Sequence, residues 1–222
     1  MSPAINRLEQ FNNRIFIIMK KENKKKLPVY RLIIDPHDDV EGIDAISFVT
    51  EPAIEVPFLK FAYEREPLKF AIADEDQQVI LGPVLIPNKM IYRKNFEGNE
   101  EANVYFAPED VELIVQKFFK QKNEGNINLE HSLVVDGGAY LYQAFISDKE
   151  NGINPKQFED LEDKTFFAKY KVTDPDLWQS VKEGVFTGFS LEGFFNSIEI
   201  KQSVQLSDEE ILQKVIELLG EI

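Results

Sequence analysis

The chain has 222 residues, 43% hydrophobic and 12% aromatic, with no cysteine and a formal charge of −14 at pH 7. This composition suits a folded chain with a sizeable core, excludes a disulfide framework or thiolate metal site, and fits a reducing compartment. No apolar run reaches membrane-spanning length, so no membrane partner is expected, and so acidic a body disfavours nucleic acid binding.

The charge is uneven. Residues 1–27 hold seven basic and two acidic side chains, while the remainder holds 18 basic and 37 acidic ones. Residues 1–27 therefore read as a basic N-terminal extension, with Lys20 to Lys26 as a solvated linker. Arg14-Ile-Phe-Ile-Ile-Met19 is too short for a secretory leader, and Met19 stands where a chain could naturally begin. The expected organisation is this extension, one folded domain over 28–200 and a C-terminal helix within 201–222.

Val29-Tyr-Arg-Leu-Ile-Ile-Asp35 predicts a strand, closed by the turn-rich Pro36-His37-Asp38-Asp39. Gly42 to Val49 predicts a second strand, ended by Glu51-Pro52. Residues 64–77 read as charged loop. Gln78 to Ile86 is strand-like, with Gly82-Pro83 marking a bulge or an edge, and Val104-Tyr-Phe106 is another strand. Pro108-Glu-Asp opens a helix with apolar residues at Val111, Ile114, Val115, Phe118 and Phe119. Further strands are expected near 127–135, 139–147, 165–173 and 185–200. A second helix runs from an Asp174 cap and Pro175 to a stop at Gly184, and a third starts at Ser207 with Glu210 completing a capping box. Many strands without regular strand–helix alternation predict an α+β fold with a barrel-like core of mostly antiparallel strands and flanking helices.

Two strings carry candidate chemistry. Asn128-Leu-Glu-His131-Ser132 holds one of only two histidines, and Gly188-Phe-Ser190-Leu-Glu-Gly193 sets a serine between glycines. A serine nucleophile needs a base, and the base needs an acceptor on its other ring nitrogen. Ser190 is the candidate nucleophile and His131 the base, with the glycines letting backbone amides approach a developing oxyanion. Asp136-Gly137-Gly138 predicts a hairpin over 127–147. A three-residue loop pairs Val135 with Ala139 and sets His131 opposite Gln143, making Gln143 its expected partner; a two-residue loop moves the partner to Ala144. Asp136 and Glu192 are carboxylates near the two strings, and alternation makes Asp136 a turn residue. Blander readings stand beside these: a hydrogen-bonded core histidine, and a small residue marking tight packing. His37 with Asp38 and Asp39 could meet a metal, but two distant histidines without cysteine argue against a dedicated zinc site. Phe118-Phe119, Phe166-Phe167, Phe194-Phe195 and Trp178 read as core.

Taken as an ordered set, several strings resemble the XkdF-type phage serine proteases, a branch of the prohead proteases. They are Gly42-Ile-Asp-Ala-Ile-Ser-Phe-Val-Thr-Glu-Pro-Ala-Ile-Glu55 with Phe58-Leu-Lys-Phe61, Gly82-Pro-Val-Leu-Ile-Pro-Asn-Lys-Met-Ile-Tyr-Arg93, Leu129-Glu-His131-Ser132, and Leu177-Trp178 through Thr187-Gly-Phe-Ser190-Leu-Glu-Gly193-Phe194. The likeness spans about residues 29–198. It implies an assemblin-like β-barrel surrounded by helices, and a serine endopeptidase with Ser190 as nucleophile and His131 as base, needing no metal or cofactor. Its implied partners are phage scaffold and major capsid protein precursors and other copies of itself, met inside the assembling procapsid in the host cytoplasm. Where family members tend to carry Glu, Ser and an aromatic, this chain reads Gln143-Ala144-Phe145. That departure keeps open a second expectation, a catalytically weak protease-fold protein serving as a structural head component.

Overall fold

The computed structural model describes residues 27–51, 70–134 and 138–201. The basic extension, the helix expected at 207–219 and the Asp136-Gly137 step lie outside them. Among the described residues, twelve strands form three open four-stranded sheets. The first has the order β12 (Asn196–Ile200), β1 (Val29–Ile33), β6 (Asn99–Phe106) and β5 (Ile91–Phe96), with β1 and β6 parallel. The second, all antiparallel, is β3 (Ala71–Asp74), β4 (Val79–Leu85), β10 (Phe166–Val172) and β9 (Ala139–Ile146). The third is β11 (Gly188–Phe194), β2 (Gly42–Val49), β7 (Ile127–Leu129) and β8 (Leu133–Val134), with β2 and β7 parallel. With helices α1 (Pro108–Lys120) and α2 (Pro175–Lys182), the architecture is strand-rich α+β. Among the described residues the pairings close no barrel, and no helix is long and apolar enough to cross a membrane.

The helices form as the sequence predicts. Pro108 opens α1, and Val111, Ile114, Val115 and Phe118 are buried. Phe119 instead is 41% exposed, its ring resting edge-on against Phe118. Asp110 fixes the helix start twice. Its carboxylate accepts from the Ala107 N–H at 3.2 Å and takes both arms of Arg31, at 2.7 and 2.9 Å. Asp174 caps α2 by accepting from Leu177 N–H at 2.7 Å, and Gly184 ends the turn at φ +73°.

Two departures bear on the site. The expected hairpin over 127–147 does not form: β7 turns back into β8, while β9 pairs with β10 in another sheet. Gln143 therefore lies opposite Lys169, exposed, and not opposite His131. Second, β3 and β5 arise where no strand was expected. The β5–β6 ribbon is closed by Glu97-Gly98, both at positive φ (+48° and +74°), the backbone hand that suits a two-residue hairpin loop. The bulge expected at Gly82-Pro83 falls one residue on. Phe166 pairs with Leu85 and Phe167 with Pro83, leaving Val84 unopposed.

Chain continuity ties the first sheet to the third. β1–β2 and β12–β11 run antiparallel as one bent ribbon that changes sheets near Phe195. At the bend the register slips by one residue after Glu192, and Gly193 meets the backbone of Gly42. A Cβ at Gly193 would stand 1.9 Å from the Gly42 carbonyl oxygen, so only glycine fits. Behind the ribbon, Phe48, Tyr170 and Phe189 meet with ring centroids 5.2–5.3 Å apart, joining the second sheet to the third. The buried Tyr170 hydroxyl has no hydrogen-bond partner among the described residues.

Gly193→Ala is expected to destabilise the fold by several kcal/mol, since backbone and not a flexible side chain must move; an unchanged urea midpoint would contradict this packing. Tyr170→Phe removes an unpaired buried hydroxyl and should be neutral or stabilising by about 1 kcal/mol in the same measurement.

Candidate active site

Strand pairing writes a polar row across the third sheet. Ser190 on β11 lies opposite Ser47 on β2, and Ser47 lies beside Asn128 on β7. All three are buried, at 3%, 0% and 9% exposure. Alternation along β11 puts Glu192 on the same face as Ser190, while Phe189 and Phe48 point the other way into the aromatic core.

His131 reaches this row from a turn, not from a strand. Leu129–Ser132 is closed by the Ser132 N–H donating to Leu129 O at 3.0 Å, and Glu130 and His131 hold φ of +50° and +58°. Such a backbone costs a non-glycine residue roughly 1–2 kcal/mol and persists only where its surroundings impose it. Glu130 supplies that restraint. Its N–H donates to Phe48 O at 3.0 Å, and its carboxylate accepts from both the N–H and the hydroxyl of Thr50, at 2.6 Å each.

The partner of the imidazole is Glu192. His131 Nδ1 lies 2.8 Å from Glu192 Oε1 and 3.0 Å from Ser47 Oγ. The same Glu192 oxygen accepts from Asn128 Nδ2 at 2.6 Å and stands 2.8 Å from Ser47 Oγ, which also contacts Asn128 Oδ1. Burial raises the Glu192 carboxyl's pKa. The hydrogen bonds from Asn128, Ser47 and His131, with the charge of His131, outweigh that and hold it below its ordinary value. An ionised carboxylate only accepts, so Nδ1 carries a hydrogen, and whenever the ring is neutral Nε2 is the nitrogen with the free lone pair. Asp44, unopposed at the bulge, moves the other way: burial and then the Glu192 charge raise it.

Ser190, His131 and Glu192 all border one cavity of about 500 Å³, walled by apolar side chains of β1, β4, β5 and β6. The Ser190 hydroxyl makes no hydrogen bond among the described residues, so it is unengaged at the cavity wall. His131 and Glu192 keep 41% and 34% side-chain exposure, enough to meet a bound molecule. The structure thus brings Ser190 and His131 to one cavity, leaves Gln143 outside it, and adds Glu192, Ser47 and Asn128. Spacing could have found Glu192, since residues two apart on a strand share a face. Ser47 needed the pairing of strands distant in sequence. Gly193, read as an opening for an oxyanion, is demanded by its approach to Gly42. His37 sits in an exposed loop, and among the described residues no group of three His, Cys, Asp or Glu could hold a metal.

Glu192 gives a pH signature. A carboxyl held below its ordinary value adds stability that is present above that value and is lost as pH falls through the folded one. Glu192→Gln should therefore be less stable than the parent near pH 6, with the gap closing below about pH 4. Urea midpoints across that range measure it; a gap independent of pH would contradict the hydrogen-bonded carboxylate.

Neither a curated protein nor a solved structure matches the chain. One family model does, described as Putative phage serine protease XkdF. It covers residues 68–199, more than half of the chain, and takes in His131, Ser190 and Glu192. By that match the chain belongs to the XkdF family of phage serine proteases.

Proposed function

We propose that the chain is a serine endopeptidase in which Ser190 is the nucleophile, His131 the base and Glu192 the acceptor that orients the ring. The observation that carries this reading is the 2.8 Å contact between His131 Nδ1 and Glu192 Oε1 beside the unengaged Ser190 hydroxyl. Nε2 takes the Ser190 proton as Oγ attacks the peptide carbonyl, and backbone amides bordering Ser190 receive the oxyanion. The imidazolium, stabilised by Glu192, returns the proton to the leaving amine. Water then repeats the sequence on the acyl-enzyme. No Ser190–His131 hydrogen bond is made in the free chain, and such contacts commonly close only around substrate. Ser47 and Asn128 act through Glu192 as positioning residues.

The substrates proposed are phage head proteins: scaffold, capsid protein precursors and the protease itself, cut inside the assembling procapsid. An assemblin-like arrangement of strands and outer helices belongs with this reading. The alternative of a catalytically weak head component drew on Gln143 standing where a carboxylate was expected. With Glu192 on the imidazole and Gln143 in another sheet, no observation favours it.

Ser190→Ala should abolish processing of co-produced head proteins, followed by mass spectrometry, while circular dichroism stays that of the parent. Glu192→Gln should lower kcat/KM by up to about 10⁴, the scale seen when an amide replaces the orienting carboxylate in a serine protease. Gln143→Ala should leave activity unchanged. Undiminished cleavage by Ser190→Ala would end the proposal.

A further inference from the structure

Resting on the peptidase reading above, we propose that Arg93 selects the substrate, pairing with an aspartate or glutamate side chain of the peptide whose apolar neighbours fill the rest of the cavity. Arg93 occupies a position that strand geometry reserves for an apolar residue. It shares a face of β5 with buried Ile91, and the residues opposite these two on β6 are the fully buried Ala102 and Val104. Its neighbours in sequence face the other way, where Tyr92 donates to Glu101 at 2.5 Å.

Arg93 lines the cavity that Ser190, His131 and Glu192 border. The one hydrogen bond of its guanidinium among the described residues is from Nη1 to the Tyr92 carbonyl at 3.1 Å. No carboxylate among those residues lies within ion-pair distance, whereas Arg31 is held by both Glu109 and Asp110. Glu192, the carboxylate on the cavity wall, is already engaged by Asn128, Ser47 and His131. A half-buried, unpaired charge is unfavourable, and burial accordingly lowers the pKa of Arg93. A planar fork with unengaged donors in an apolar enclosure fits a carboxylate better than any neutral side chain. Since the chain is strongly acidic overall, long-range attraction does not draw such a substrate in. The preference must therefore arise at contact range.

The test digests a proteome-derived peptide mixture with the full chain and maps cleavage sites by mass spectrometry. Acidic residues should be enriched at one fixed distance from the scissile bond. For a cleaved peptide and its Glu→Gln counterpart, kcat/KM should differ by about 10²-fold. Arg93→Gln should bring that ratio near one, Arg93→Lys should leave an intermediate ratio, and Arg93→Glu should shift the preference to basic residues. The ratio compares two peptides on one variant, so a general loss of activity does not mimic it, and thermal melting confirms that each variant is folded. Cleavage without acidic enrichment, or a ratio unchanged in folded Arg93→Gln, overturns the assignment of Arg93 alone. Fluorophosphonate labelling of Ser190 separates the two readings: a parent chain that neither labels nor cleaves overturns the peptidase reading and this one together.

Discussion

The register between β11 and β2 is the constraint on which the rest depends. Residues alternate faces along a strand, so a slip of β11 by one position would turn Ser190 and Glu192 toward the aromatic core and pull Phe189 away from Phe48. The bulky pair sits fully buried against Tyr170, and that burial makes the slip prohibitive. Each fully buried aromatic side chain contributes on the order of 2–3 kcal/mol of transfer free energy. The polar face is thus held in place from behind. The bulge at Asp44, with Gly193 against Gly42, then lets the ribbon bend into the first sheet without disturbing the Ser190–Ser47 pair.

What was legible in the sequence was local. The apolar run from Gln78 to Ile86 became β4, the Asp174-Pro175 start became the cap of α2, and Pro108 opened α1, because those signals act within a turn or two of chain. The site was legible only by halves. His131 and Ser190 stood out by residue type, but their partners depend on which strands pair. Asp136-Gly137-Gly138 carried a strong turn signal that suggested pairing β9 with the segment before it. The chain instead crosses to the second sheet and leaves the reversal to Glu130-His131. That reversal was illegible because neither glycine nor asparagine marks it and glutamate is a poor residue for left-handed backbone; Thr50 and Phe48, brought in by the fold, hold Glu130 there. β5 escaped notice for a related reason. Arg93 on its inward face breaks the apolar alternation by which a strand is read.

The three groups of the candidate site are held with different firmness. Ser190 and Glu192 belong to one strand fixed on its partner by an extended ladder. His131 belongs to a three-residue excursion between short strands, restrained by Glu130 at one end and by its own bond to Glu192 at the other. In the proposed mechanism the nucleophile and acceptor are thereby preorganised, and the imidazole is the member free to adjust when a peptide enters. Small adjustments of this kind matter, because proton transfer requires hydrogen-bond distance.

The ribbon has a consequence for the order of synthesis. Ser47 and Glu192 are hydrogen-bonded across 145 residues of chain, and β2 waits on β11, one of the last described strands to leave the ribosome. Pairings between such distant segments form late and slowly. Until residue 192 has emerged, His131 has no acceptor, Ser190 has no strand to lie on, and the cavity lacks a wall. A nascent chain therefore carries no assembled site, and the hazard of a protease among its own unfinished neighbours is deferred by topology to the moment the fold closes.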